Sequence, residues 1–191
     1  DRAFLLKHRT QLSEGQSLDP RVIARIKALS AHYKVASPSV MNAMDITWDK
    51  LLQRVDTLPV SLVLAQAANE SGWGTSRFAL DGNNFFGVWC YVEGCGLKPK
   101  QRDQGATHEV KRYASIYDSV TAYIHNINTN SAYADLRAIR MSLRGLNTPS
   151  LGSQLAEGLR AYSVRGEAYV REIQAMIRSN RLEQRAAAEQ V

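Results

Sequence analysis

Glu70 is the residue of this sequence best placed to do chemistry. It follows the apolar stretch Leu62-Val63-Leu64-Ala65-Gln66-Ala67-Ala68 and is followed at once by Ser71-Gly72-Trp73-Gly74. If that stretch is helical, Glu70 lies at the helix C-terminus, where roughly half a negative charge disfavours another anion. Val63, Gln66 and Ala67 share its face, so the surroundings are poor in water and in cations. Trp73 is close enough in sequence to cover it. Each effect favours the protonated acid over the carboxylate. A glutamic acid kept neutral is a proton donor suited to breaking a glycosidic bond. The bland alternative is a buried Glu whose hydrogen bonds hold the following loop, and Glu70 taken alone leaves both open.

Other chemistries fit less well. Cys90 with His108 could form a thiol–imidazole pair, but no orienting third residue stands out, and Cys95 lies close by. The two cysteines, in Cys90-Tyr91-Val92-Glu93-Gly94-Cys95, close a tight loop through Gly94. That suits a short disulfide in an oxidising compartment, with two reduced structural cysteines as the alternative. One pair of cysteines and four dispersed histidines do not make the four-ligand set of a zinc site, so no metal is expected. Gly72-Trp73-Gly74 sets a bulky ring where a backbone would have to approach a phosphate, which argues against a nucleotide loop.

The elements that must position these residues are mostly helical. Asp19-Pro20 opens a helix over 20–33, with a capping carboxylate and proline in the first turn. Val22, Ile23, Ile26, Leu29 and Tyr33 recur at helical spacing. A short helix follows from Thr47 to about 55. The helix carrying Glu70 runs over 59–71 and ends at Gly72, free to take positive φ. Leu62, Leu64, Ala65, Ala67 and Ala68 surround its axis, so it is predicted to be central. Thr75 caps a short helix ending near 82. Helical periodicity vanishes over 83–113, where glycines and aromatics cluster; so long a stretch in a compact domain carries function or hides strands. Strands are predicted near 86–91 and 108–113, forming a hairpin lobe. Helices resume over 117–128, 133–142, 150–159 and 167–182, with Thr148-Pro149 and Gly166 as start signals. The Ala-rich end, 183–191, reads as a helix extension or a frayed tail.

Composition bounds the partners. The chain has 191 residues, 45% hydrophobic and 22% charged, which is ordinary globular usage. The longest apolar stretch, 59–68, is broken by Ser61 and Gln66, so no spanning helix is expected. Lys and Arg exceed Asp and Glu by 24 to 18, a net charge of +6. Such a field attracts nucleic acid, anionic lipid or an anionic cell-wall polymer alike. The basic residues are scattered rather than gathered into a nucleic-acid arm, and no nucleic-acid partner is expected. The chain starts at Asp1 without an apolar leader, so any secretory signal is not in this sequence.

Longer motifs narrow the choice. Leu64-Ala65-Gln66-Ala67-Ala68-Asn69-Glu70-Ser71-Gly72-Trp73-Gly74-Thr75-Ser76 resembles the catalytic-helix signature of the bacterial glucosaminidase family that cleaves peptidoglycan. Asn83-Asn84-Phe85-Phe86-Gly87 resembles its N-N-aromatic-F-G segment. Arg112-Tyr113-Ala114-Ser115 with Asp118-Ser119 resembles the start of its next helix. Arg160-Ala161-Tyr162-Ser163, followed by Tyr169, resembles its closing motif, although Val164-Arg165-Gly166 replaces the usual Thr-Asp-Pro. Trp89 to Leu97 further resembles the Bax branch of envelope proteins. The resemblance runs in order from about 59 to 182.

The resemblance implies an α+β, mostly α fold: a lysozyme-like helical lobe, a small β-hairpin lobe and a cleft between them. Residues 1–58 would be a helical extension packed on the core, 59–182 the catalytic domain and 183–191 a tail. Glu70 matches the catalytic acid and Tyr162 the family's functional tyrosine. Glu109 lies where the family places its flap glutamate, with Glu93 and Asp103 as alternatives. If none of them serves, the substrate's own N-acetyl group could act as nucleophile. Flat pyranose faces suit aromatic clefts, which makes Trp73, Phe86, Trp89, Tyr91, Tyr113 and Tyr169, with Asn84, candidate substrate-binding residues; each ring could equally fill the core. The implied function is hydrolysis of the β-1,4 bond of peptidoglycan glycan on the N-acetylglucosamine side. The implied protein is a monomer without cofactor in the periplasm or cell envelope. The alternative is a module that binds the same glycan without cutting it.

Overall fold

The computed structural model describes all residues except 101–104, 106, 147, 149 and 189–191. Asp103, Pro149 and the last three residues of the expected tail therefore lie outside the described residues. The N-terminal layer comprises α1 (Arg2–Ser13), α2 (Pro20–His32) and α3 (Ile46–Arg54). Asp19 caps α2 by accepting the Arg21 N–H at 2.7 Å. Asp45 caps α3, accepting the Thr47 N–H at 2.9 Å, so this helix starts ahead of the Thr47 expected from sequence. These helices bury their own cluster of Leu5, Ile26, Trp48, Leu51, Leu52 and Val55.

The larger core is built around α4 (Val60–Ser71), which packs on α8 (Leu151–Leu155), α9 (Glu167–Ser179) and α10 (Leu182–Ala188). Leu62 and Ala65 of α4 are fully buried, as its apolar circumference requires. The short α5 (Arg77–Gly82) follows, then α6 (Ile116–Thr129) and α7 (Ala134–Ser142). Gly158 lets the turn after α8 lie directly on α7: a Cβ there would come 2.3 Å from the Leu136 Cα. No helix among the described residues is long and apolar enough to cross a membrane.

The structure departs from the sequence expectations at several termini. Ser76 rather than Thr75 caps α5, accepting the Ala79 N–H at 3.2 Å, while Thr75 donates its hydroxyl proton to the Gly72 carbonyl. The expected 150–159 helix divides into α8 and a 3₁₀ turn over Ala156–Leu159. The expected 167–182 helix stops at Ser179, because Arg181 takes φ +51° and the chain restarts as α10.

The small lobe contains three strands rather than a two-stranded hairpin: β1 (Trp89–Cys90), β2 (Gly96–Leu97) and β3 (Glu109–Lys111), in order β1-β3-β2 and antiparallel. The Cys90–Cys95 disulfide folds the chain back after β1 and carries β2 to the far side of β3. Gly96 makes this pairing possible, since a Cβ there would sit 2.0 Å from the Val110 carbonyl oxygen. The fold class is α+β, mostly α, with a groove between the helical lobe and this sheet.

Candidate active site

The end of α4 is held by its own following turn. The Ser71 hydroxyl donates to the Ala67 carbonyl at 2.6 Å and accepts the Gly74 N–H at 2.7 Å. Gly72, Trp73 and Gly74 all take left-handed φ, at +58°, +58° and +77°. Glycine adopts this region freely, whereas a tryptophan held there is strained. Trp73 does not cover Glu70 as expected. It is 63% exposed and absent from the residues lining the groove, because the left-handed turn carries it past the helix end.

A hydrogen-bonded chain reaches Glu70 from the protein interior. Gln66 stands one turn before it on the same helix face and is fully buried. The Tyr123 hydroxyl donates to Gln66 Oε1. Gln66 Nε2 donates to the Tyr169 oxygen at 2.8 Å, and the Tyr169 hydroxyl donates to Glu70 Oε1 at 2.8 Å. Asn69 Nδ2 adds a longer contact to the same oxygen, 3.3 Å. Burial pushes the Tyr123 and Tyr169 phenols well above the ordinary tyrosine range, with Tyr133 and Glu70 adding at Tyr123 and Glu70 at Tyr169. Tyr169 is 1% exposed, which corrects its expected place among the sugar contacts: it lies behind Glu70, not in the groove.

Glu70 opens onto a groove of about 840 Å³. Phe86, Gly87, Val88, Trp89 and Tyr91 form one wall, with Lys111 and Tyr113 from the end of the sheet. Trp89 is 53% and Tyr91 71% exposed, and the Trp89 ring stacks on His108 at 4.0 Å. Phe86 is nearly buried and stacks on Tyr123 at 4.0 Å, so it supports the wall more than it offers a surface. Tyr113 is buried, with a hydroxyl that finds no partner among the described residues. Tyr162 donates its hydroxyl to the Phe86 carbonyl at 3.2 Å and stacks on Tyr169 at 5.3 Å. Burial pushes its phenol up as well.

The opposite wall was not read from sequence. Ala122, Asn126 and Asn130 line it at intervals of four along α6 and its end, together with Tyr133. The two asparagines one turn apart, Asn126 and Asn130, were the available signal.

Two expected site residues are occupied elsewhere. Asn84 is 2% exposed; its Nδ2 donates to the Val88 and Lys111 carbonyls at 2.9 and 2.8 Å, and its Oδ1 accepts the Val88 N–H at 3.1 Å. It pins the groove wall to the sheet rather than facing a ligand. Glu109 is also 2% exposed, and its carboxylate accepts the Gly94 and Gly96 N–H groups at 3.2 and 2.8 Å. It borders a separate hollow with Tyr91, Glu93, Lys98 and Thr107, not the groove of Glu70. Glu93 is 91% exposed at its side chain, 3.8 Å from Lys98. Glu70 is thus the one acidic residue among the described residues lining its groove. The ligand atoms of Cys90, Cys95 and Glu109 lie within 4.8 Å of one another, but the two sulfurs are bonded together and offer no thiolate to a metal.

A family model described as "Glucosaminidase: Mannosyl-glycoprotein endo-beta-N-acetylglucosaminidase" matches residues 46–182, from the start of α3 to the start of α10. "Protein bax" of Escherichia coli (strain K12) is 36% identical over 161 residues, which covers 84% of this chain and 56% of that protein. The chain therefore spans little more than half the length of this curated relative. No solved structure matches the chain.

Proposed function

Because the chain belongs to the glucosaminidase family, we propose that it is a glycoside hydrolase cleaving the β-1,4 bond of peptidoglycan glycan on the N-acetylglucosamine side, with Glu70 as general acid. The observation that carries this reading is Glu70 at an open groove walled by exposed aromatic rings, with Oε1 held from behind by Tyr169. Trp89 and Tyr91 offer flat apolar faces to pyranose rings, and Asn126 and Asn130 offer amides to their hydroxyl and acetamido groups.

In the first step, Glu70 gives its proton to the glycosidic oxygen as the C1–O bond breaks. With Glu109 committed to the Gly94 and Gly96 amides, the substrate's acetamido oxygen is the nucleophile that closes on C1 and forms an oxazolinium ring. Glu70, now a carboxylate, takes a proton from the water that reopens the ring, and the acid is restored. Tyr162, fixed on the Phe86 carbonyl, shapes the floor beneath the reacting sugar. The disulfide and the net charge of +6 suit work as a monomer on an anionic wall in the periplasm or envelope.

That Glu70 is the one carboxylate among the described residues lining the groove also favours a second reading, a module that binds glycan strands without cutting them. Mass spectrometry of purified sacculi after incubation and borohydride reduction separates the two. Products ending in reduced N-acetylglucosamine are expected. Reduced N-acetylmuramic acid would move the cut to the other bond, and binding without new reducing ends would establish the second reading.

A further inference from the structure

Two buried side chains behind Glu70 line no part of the groove. Gln66 is 0% and Tyr123 1% exposed, so their polar atoms must be satisfied by protein rather than bulk water. That requirement forces a direction on the chain. Tyr123 keeps its proton, because burial in apolar surroundings disfavours the phenolate, and Gln66 Oε1 is the one acceptor that proton has among the described residues. The Gln66 amide must then turn Nε2 toward Tyr169, whose oxygen accepts at 2.8 Å. With that lone pair taken, Tyr169 sends its single proton to Glu70 Oε1.

The opposite direction would defeat an acid catalyst. With the Gln66 amide reversed, Tyr169 would donate to Gln66 and turn a lone pair toward Glu70. The carboxylic acid would then hydrogen-bond inward, and no acidic proton would face the groove.

We infer that Gln66 and Tyr123 are positioning residues that set the direction of this chain and so keep the acid proton of Glu70 on Oε2, the oxygen with no donor among the described residues. The inference rests on the reading of Glu70 as general acid. It adds two residues that touch no substrate and act through Tyr169.

Tyr123→Phe is the direct test. The ring and its stack on Phe86 at 4.0 Å are kept, and only the hydroxyl that orients Gln66 is lost. On soluble peptidoglycan fragments kcat should fall by about tenfold or more, part of what a placed acid contributes, with KM unchanged. A lower melting midpoint with unchanged kcat per folded molecule would reduce Tyr123 to packing and overturn the inference.

Neutron crystallography of the deuterated wild-type protein decides the direction with no variant and no activity. Deuterium bonded to the Tyr169 oxygen and directed at Glu70 Oε1, and on Gln66 Nε2 facing Tyr169, is expected; deuterium carried by the Glu70 carboxyl and directed at Tyr169, with Gln66 Oε1 facing Tyr169, overturns the inference. If the wild type releases no reducing ends, the hydrolase reading fails by itself, and the neutron map still reports the direction of the chain.

Discussion

Glu70→Gln is expected to lose about 10²–10⁴-fold in glycan cleavage, the range a well-placed general acid contributes. The side chain keeps its shape, and its Oε1 can still accept from Tyr169, as the carboxyl does at 2.8 Å. What disappears is the transferable proton on the second oxygen, replaced by an amide that donates a hydrogen bond but cannot give up a proton. Affinity for glycan should persist, because Trp89, Tyr91, Asn126 and Asn130 are untouched. Thermal unfolding followed by circular dichroism should be nearly unchanged, since Glu70 is only partly buried. Turbidity clearing of sacculi measured beside that melt separates chemistry from folding. Retained clearing would refute the role assigned to Glu70.

Asp56→Ala should produce the largest loss of stability from one polar side chain. The Asp56 carboxylate, 7% exposed, lies 3.3 Å from Arg140 and 3.7 Å from Arg2, and also pairs with Arg144. The Arg140 guanidinium donates to the Thr57 and Gln53 carbonyls at 2.9 Å each and to Asn128 Oδ1 at 2.8 Å. Arg2 binds the Leu52 and Val55 carbonyls, which ties α1 to the end of α3. Burial, then Arg137 and Arg2, push Arg140 down to about 10, so it remains charged at neutrality and depends on a nearby anion. Removing that anion leaves three guanidinium groups facing one another where α3 meets α7. Breaking a buried pair from one side costs about 3–5 kcal/mol, and for a chain of this size that lowers the melting midpoint by about 10 °C. Asp49→Ala is the matched control: its pair with Arg9 is half exposed, and such pairs contribute about 0–1 kcal/mol. Equal melts for the two variants would show that the Asp56 cluster does not hold the N-terminal layer in place.

The parts of this protein readable in sequence are those governed by local signals. The helix carrying Glu70 ends at Gly72 because a left-handed residue is needed there, and the glycine announces it. The Asp19-Pro20 start is equally local. Local chemistry was insufficient where partners lie far apart in sequence. Tyr169 bonds Gln66 and Glu70 across 103 and 99 positions, so its place behind the acid looked from sequence like one more aromatic in a sugar cleft. Glu109 was expected as a second carboxylate of the groove, but the disulfide loop brings the Gly94 and Gly96 amides onto it. The third strand was hidden because Gly96 and Leu97 have little strand character, and their pairing depends on the closure at Cys95.

The most direct test of Glu70 as the acid of a glycan groove is a crystal structure of Glu70→Gln with a β-1,4-linked N-acetylglucosamine–N-acetylmuramic acid tetrasaccharide. A glycosidic oxygen should lie within about 3.2 Å of the residue 70 amide, or one water away, with a sugar ring against Trp89 or Tyr91. A tetrasaccharide seated elsewhere on the protein, or lying in the groove with every glycosidic oxygen beyond the reach of one water, would contradict that role.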